Sequence, residues 1–204
     1  VAGALAARRA QVPQCVTGIR VADPRWNFHG LASRMTDPLV SKHICVSQSV
    51  ATFAVEQMHL TASKVAVIPN GVNLQRFKPA HPITHAELGI PAGRKLLLFI
   101  GRLDRQKHPE WLLARLPELQ QQLPNHDLVI VGDGALRGRL ERLANQLSLG
   151  NRVHFLGWRS DVPRLLAASE MLLHCSSWEG MPGVVLEAMA ASKPVVTIKV
   201  HGTA

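Results

Sequence analysis

Apolar residues along this chain come in short unbroken runs separated by longer stretches with helical spacing. Leu96-Leu97-Leu98-Phe99-Ile100, Leu128-Val129-Ile130-Val131 and Met171-Leu172-Leu173 read as strands without inside–outside alternation, as expected when both faces of a sheet are covered, and Val153 to Gly157 and Pro194 to Ile198 read as two further strands. Between them lie stripes at helical spacing. Trp111, Leu112 and Leu116 mark one helix over about 109–119, which Pro117 is expected to kink or divide. Leu136, Leu140, Leu143 and Leu147 mark a second, whose Arg137, Arg139, Glu141 and Arg142 read as solvated. Leu165 and Leu166 mark a third, with Asp161 as its N-cap, and Val184 to Ala190 a fourth after Pro182. Strictly alternating strands and helices imply a parallel sheet with helices on both faces.

The first third is patterned alike but more weakly. Ala2 to Ala10 favours helix, 14–18 a short strand, and 26–35 an ambiguous, partly helical stretch. His43 to Ser47 reads as a buried strand, and Ser47 or Ser49 caps a helix with Val50, Phe53, Ala54 and Met58 on one face. Lys64 to Ile68 is another strand, ended by Pro69-Asn70-Gly71, where Asn-Gly offers the positive φ of a turn. Pro, Gly and His crowd the next segment. The expected organisation is a first α/β domain over 1–78, a linker over 79–94 with one helical turn near Glu87, and a second domain over 95–204. Val1 to Arg9 has no Met start and the far end stops just after a strand, so a piece of a longer protein is expected.

Composition narrows the function classes. With 204 residues and 47% hydrophobic content the chain is an ordinary globular protein, with no run of the roughly 20 apolar residues that cross a membrane. The net charge of +9 suits an anionic substrate or peripheral contact with an anionic membrane. Nucleic acid is not expected: Tyr is absent, aromatics are few, and no zinc-finger or RNA-binding signature occurs. Cys15, Cys45 and Cys175 are odd in number and scattered, which fits the reducing cytoplasm. Of the ten histidines, His81 and His85 lie four apart, but Pro82 lies between them in a linker-like segment and no H-E-x-x-H occurs, so no metal site is expected.

The candidate chemistry gathers past the carboxyl ends of the strands, where such sheets bind ligands. Gly101 ends one strand and lets backbone approach a ligand; Arg102 and Lys107 follow, a planar fork and a point charge suited to a diphosphate. The next strand delivers Gly132-Asp133-Gly134, a tight strand-to-helix turn at another such end. The central strand exits through His174 to Ser177 into Trp178-Glu179-Gly180-Met181-Pro182-Gly183, and a helix begins there with Val184, Val185 and Glu187. Amides at a helix start after a Gly-rich loop favour anions. A carboxylate before that terminus and another within the helix suit a phosphate held between two hydroxyl-bearing groups, as in a sugar nucleotide.

Glu179 and Glu187, seven residues apart in Glu-Gly-x-Pro-x-x-x-x-Glu-Ala-Met-Ala, resemble the E-x7-E signature of retaining glycosyltransferases of the GT-B fold, and more narrowly of the group-one family, family four. Gly101-Arg102 to Lys107 resembles that family's G-R-x-x-x-x-K motif, Ile68-Pro69-Asn70-Gly71-Val72-Asn73 its I-P-N-G-V-D segment with Asn73 where Asp is usual, and Val153 to Gly157 its V-x-F-x-G segment. Val200-His201-Gly202-Thr203 is an imperfect match to the Gly-Gly segment after the last strand. The resemblance implies two Rossmann-like domains, a nucleotide-sugar donor, and a glycan, lipid or small-molecule acceptor. It implies that Arg102 and Lys107 contact the diphosphate, Glu179 the transferred sugar and Glu187 the ribose, with no cofactor or metal. It places the acceptor site and a functional histidine in the amino-terminal domain; neither His29 nor His43 sits in a motif that matches that histidine. Another enzyme of the fold, such as a glycogen-synthase-like protein, and a non-catalytic nucleotide-binding module fit the same motifs.

Overall fold

A computed structural model describes residues 2–23, 27–78 and 81–200. Trp26, at the start of the ambiguous stretch, Pro79 and the His201–Ala204 end lie outside the described residues. The chain forms two compact units, residues 1–70 with 178–182 and 199–204, and residues 71–177 with 183–198.

In the first unit, α1 (Ala2–Arg9), β1 (Val16–Ile19), α2 (Asn27–Thr36), β2 (Lys42–Cys45), α3 (Gln48–Glu56) and β3 (Val65–Val67) follow in order. The strands form a parallel sheet, β1-β2-β3. Ile19, Cys45, Val50, Phe53, Ala54 and Met58 form its core, the α3 stripe the sequence predicts. Ser47 is the cap: its hydroxyl accepts from the Val50 amide. A buried polar knot ties the strands. Asp37 accepts from His43 Nε2 (2.8 Å) and from the Thr61 hydroxyl, while His43 Nδ1 meets the Thr17 hydroxyl at 2.7 Å. His43 is thus a structural link within the sheet. Asn70 and Gly71 do not adopt positive φ. The Asn70 side chain instead donates to the Met181 carbonyl, so a tertiary bond shapes this segment rather than a left-handed turn.

The second unit holds α4 (His85–Leu88), β4 (Lys95–Ile100), α5 (Pro109–Gln122), β5 (His126–Val131), α6 (Arg137–Gln146), β6 (Val153–Gly157), α7 (Val162–Ala168), β7 (Met171–His174), α8 (Gly183–Ala190) and β8 (Val195–Thr197). Its sheet is parallel throughout, in the order β6-β5-β4-β7-β8. Successive residues of the apolar runs serve opposite faces. Leu97, Phe99, Leu128, Ile130 and Leu173 pack with Leu112, Leu113 and Leu140 of α5 and α6. Leu96, Leu98, Val129, Val131 and Leu172 pack with Leu165, Leu166 and Ala188 of α7 and α8. Two-sided burial is why these strands carry no polar alternation. Residues 81–94, expected as a linker, are packed too: Ile83, Leu88 and Ile90 are buried in the second of these clusters. Asp127, at the start of β5, is buried and accepts from Arg94, Arg152 and His154.

Local detail departs from expectation at several points. α5 is not divided at Pro117 but continues to Gln122. Its buried stripe is Pro109, Leu112, Leu113 and Leu116, which turns Trp111 outward, under the Arg115 guanidinium. Asp161 holds the N-cap position of α7 as expected, but its side chain makes no capping bond: Arg159 takes the carboxylate in a two-pronged grip of 2.8 and 2.6 Å. Arg137 is not simply solvated: it stacks 5.1 Å from the Phe155 ring centroid and pairs with Glu141.

Candidate functional site

The strand order reverses beside β4: the chain steps outward through β5 and β6, then returns to β7 on the other flank. A crevice at the carboxyl ends of the strands is expected at such a reversal. β4 ends at Gly101, and the loop that follows carries Arg102 and Lys107. A Cβ on Gly101 would lie 3.3 Å from Lys107 Cγ and 3.4 Å from its Cδ, so the lysine stem runs directly over the bare glycine. The loop is shaped by its own polar groups. Asp104 Oδ1 accepts from the Lys107 amide (3.1 Å), and Arg102 Nη2 lies 3.3 Å from both Asp104 Oδ2 and Gln106 Oε1, with its fork largely in solvent.

The exits of the two neighbouring strands grip this loop. On the β7 side, the Ser177 amide donates to the Gln106 carbonyl (2.8 Å), and Cys175 Sγ lies 3.2 and 3.3 Å from the Lys107 and His108 carbonyls. Burial pushes the Cys175 thiol up to about 12, so it keeps the proton it donates. On the β5 side, Leu103 donates to the Asp133 carbonyl and accepts from the Leu136 amide. Gly132 has φ +126°, and a Cβ there would meet the Gly101 oxygen at 2.0 Å; one on Gly134 would meet the Leu103 oxygen at 2.6 Å. Both glycines are therefore required for one loop to lie on the other, whatever else they contact.

α8 begins at Gly183, with Val184 and Val185 packed into the core beneath it. Glu187, on the same helix, is partly buried; burial pushes its carboxyl up, and the positive charge of Arg76 opposes that. The structure thus brings Gly101, Arg102, Lys107, Gly132 and Gly134 together on adjacent strand exits, and sets Gly183, Val184, Val185 and Glu187 on the helix that follows β7. Glu179 belongs to the first unit, where it is 5% exposed and its carbonyl accepts from the Ala22 amide.

A family model described as Glycosyl transferases group 1 matches residues 81–204. The chain belongs to that family. A second model, Glycosyltransferase Family 4, matches residues 1–76. The Escherichia coli UDP-Gal:alpha-D-GlcNAc-diphosphoundecaprenol alpha-1,3-galactosyltransferase is 32% identical over 165 residues, 78% of this chain and 43% of the relative. A D-inositol 3-phosphate glycosyltransferase of Corynebacterium jeikeium is 32% identical over 161 residues, 72% and 38% of the two chains. The crystal structure of Anabaena HepE in complex with UDP and glucose superposes with a TM-score of 0.82 at 28% identity, covering 98% of this chain and 56% of that one. The match extends to GT-B structures, and the fold is of that type. The chain aligns with about two fifths of the length of these curated relatives.

Several groups that shape the group-one site escape a reading of the sequence. Asp104, Gln106, Cys175 and Ser177 hold the cationic loop, and Arg76 sits near Glu187. Of these only Asp104, three residues before Lys107, carries a local signal: a short acid able to cap its own loop.

Proposed function

We propose that the protein is a retaining glycosyltransferase that moves a sugar from a nucleotide-diphosphate donor to a glycan, lipid or small-molecule acceptor, without a bound metal. The observation that carries this reading is the cationic loop at the strand-order reversal, where Lys107 lies over Gly101 beside the solvent-facing Arg102. Breaking the glycosidic bond leaves negative charge on the departing diphosphate. Two fixed cations stabilise that charge more in the transition state than in the ground state, and so do the work a metal would otherwise do. The amides of Gly183, Val184 and Val185 at the start of α8 add partial positive charge. Glu187 takes the ribose hydroxyls and Glu179 the transferred sugar, roles supported by the E-x7-E resemblance. Gly101, Gly132 and Gly134 line the donor side. UDP is the first nucleotide to test, supported by the UDP-bound neighbour and the UDP-Gal-named relative. No helix among the described residues is long and apolar enough to cross a membrane. The scattered cysteines support a cytoplasmic protein, and the +9 charge supports contact with an anionic membrane at its surface.

Calorimetric titration of UDP, GDP and ADP into the wild type and an Arg102→Ala/Lys107→Ala variant tests this. One diphosphate should bind the wild type and bind the variant about 100-fold more weakly, the scale of two lost charge-assisted hydrogen bonds. Equal binding to both proteins would overturn the assignment.

A further inference from the structure

The loop that carries Glu179 is held in an unusual way. Three successive carbonyls of it each accept a hydrogen bond from a separate stretch of the first unit. The Glu179 carbonyl takes the Ala22 amide (3.2 Å), just past β1. The Gly180 carbonyl takes the Ser47 hydroxyl (2.7 Å), just past β2. The Met181 carbonyl takes the Asn70 side-chain amide (3.1 Å), just past β3. Each of the three strand exits thus supplies one donor, in strand order. Nor can the loop slide against them. A Cβ on Gly180 would sit 1.9 Å from the Arg20 oxygen and 3.0 Å from Val46 Cγ2, and Met181 packs against the core of the unit.

Three consecutive fixed peptide planes determine where the Glu179 side chain leaves the backbone. A buried carbonyl that loses its donor keeps its desolvation penalty, so the loop would shift to find another partner. We propose that Ser47 and Asn70 are positioning residues for Glu179: by holding the Gly180 and Met181 carbonyls they set the carboxylate that recognises the transferred sugar. This rests on the donor reading above, in which Glu179 meets the sugar and Arg102 and Lys107 meet the diphosphate. Ser47 is also the N-cap of α3 and Asn70 lies in a segment shaped by this contact, so both have a structural use. The inference is that they also act on sugar recognition, separately from nucleotide binding.

The experiment measures, for the full chain, the ratio of Kd for UDP to Kd for UDP-glucose, UDP-galactose and UDP-N-acetylglucosamine. For the best sugar this ratio is the sugar's own contribution. The variants are Ser47→Ala, Ser47→Thr, Asn70→Asp and Glu179→Ala, and each of the first three combined with Glu179→Ala. Asn70→Asp keeps the shape and removes the donor. The expected result is an unchanged Kd for UDP in all of them. The sugar contribution falls roughly 3- to 10-fold in Ser47→Ala and Asn70→Asp, the scale of one hydrogen bond. Ser47→Thr keeps it, and none of the three changes it further once Glu179 is Ala. A purely structural role would lower UDP and UDP-sugar affinity together, or neither, and would overturn the proposal. A sugar contribution that falls in the Glu179→Ala background as well would also overturn it. No binding of UDP, GDP or ADP by the wild type would instead remove the donor reading, and this inference with it.

Discussion

At the scale of single residues, the glycines of the candidate site do different jobs that composition cannot separate. Gly101 makes room for the Lys107 stem, and a methyl there meets only the flexible part of a side chain. Gly132 makes room for backbone: at φ +126° its missing Cβ would fall 2.0 Å from the Gly101 oxygen, an atom tied into β4 and unable to yield. Gly132→Ala should therefore cost about 3 kcal/mol or more, combining left-handed strain with a clash against main chain. Gly138, in the first turn of α6, meets nothing closer than 3.7 Å, a movable arginine tip. Gly138→Ala should stabilise by about 0.5 kcal/mol through lost unfolded-state freedom. Urea unfolding of the two variants checks both signs. A Gly132→Ala protein as stable as the wild type would mean that the two loops do not lie backbone on backbone.

At the scale of elements, what was legible in the sequence is what is local. The five apolar runs of the second unit became its five strands, and the Gly-Arg to Lys motif and E-x7-E spacing lie at strand exits and a helix start, because each pattern fits within about a dozen residues. The clasps on those motifs were not legible, since they join residues far apart in the chain: Cys175 to Lys107 spans 68 residues, Asn70 to Met181 spans 111, and Ser47 to Gly180 spans 133. Helix α5 shows local preference overruled by packing. Pro117 withholds a donor from the Leu113 carbonyl, yet the helix continues to Gln122, because Leu112, Leu113 and Leu116 before the proline and Leu119 after it pack on the same core. Pro117→Ala should then raise stability by about 1–2 kcal/mol, less than the roughly 3 kcal/mol of an isolated helix since packing already holds the shape. Thermal unfolding gives the sign. Destabilisation would mean that the helix is bent around the ring and packs on that bend.

At the scale of the whole molecule, each unit contains one buried aspartate that knots distant parts of its chain. In the first, Asp37 joins His43, Thr61 and Lys64; in the second, Asp127 joins Arg94, Arg152 and His154. Burial alone would raise both carboxyl groups. For Asp37 the bonds from Thr61 and His43 and the charge of Lys64 outweigh it, and for Asp127 those from Arg94, His154 and Arg152 do; both end below the ordinary aspartate range. A carboxyl held lower in the folded state than in the unfolded chain adds stability that is complete above the unfolded value of about 3.9, and that stability is lost as pH falls through the folded value. Stability should accordingly be flat in these two groups from pH 7 to about 5 and fall steeply below pH 4. Asp127→Asn keeps the shape but not the charge. It should cost about 2 kcal/mol at pH 7, and its difference from the wild type should shrink as the wild-type carboxyl itself takes up a proton. Asp37→Asn should do the same for the first unit. Urea unfolding at steps from pH 3 to pH 7, followed for the wild type and both variants, measures this directly. Curves that stay parallel down to pH 3 would mean that folding lowers neither carboxyl, and that the acid sensitivity of the protein arises elsewhere.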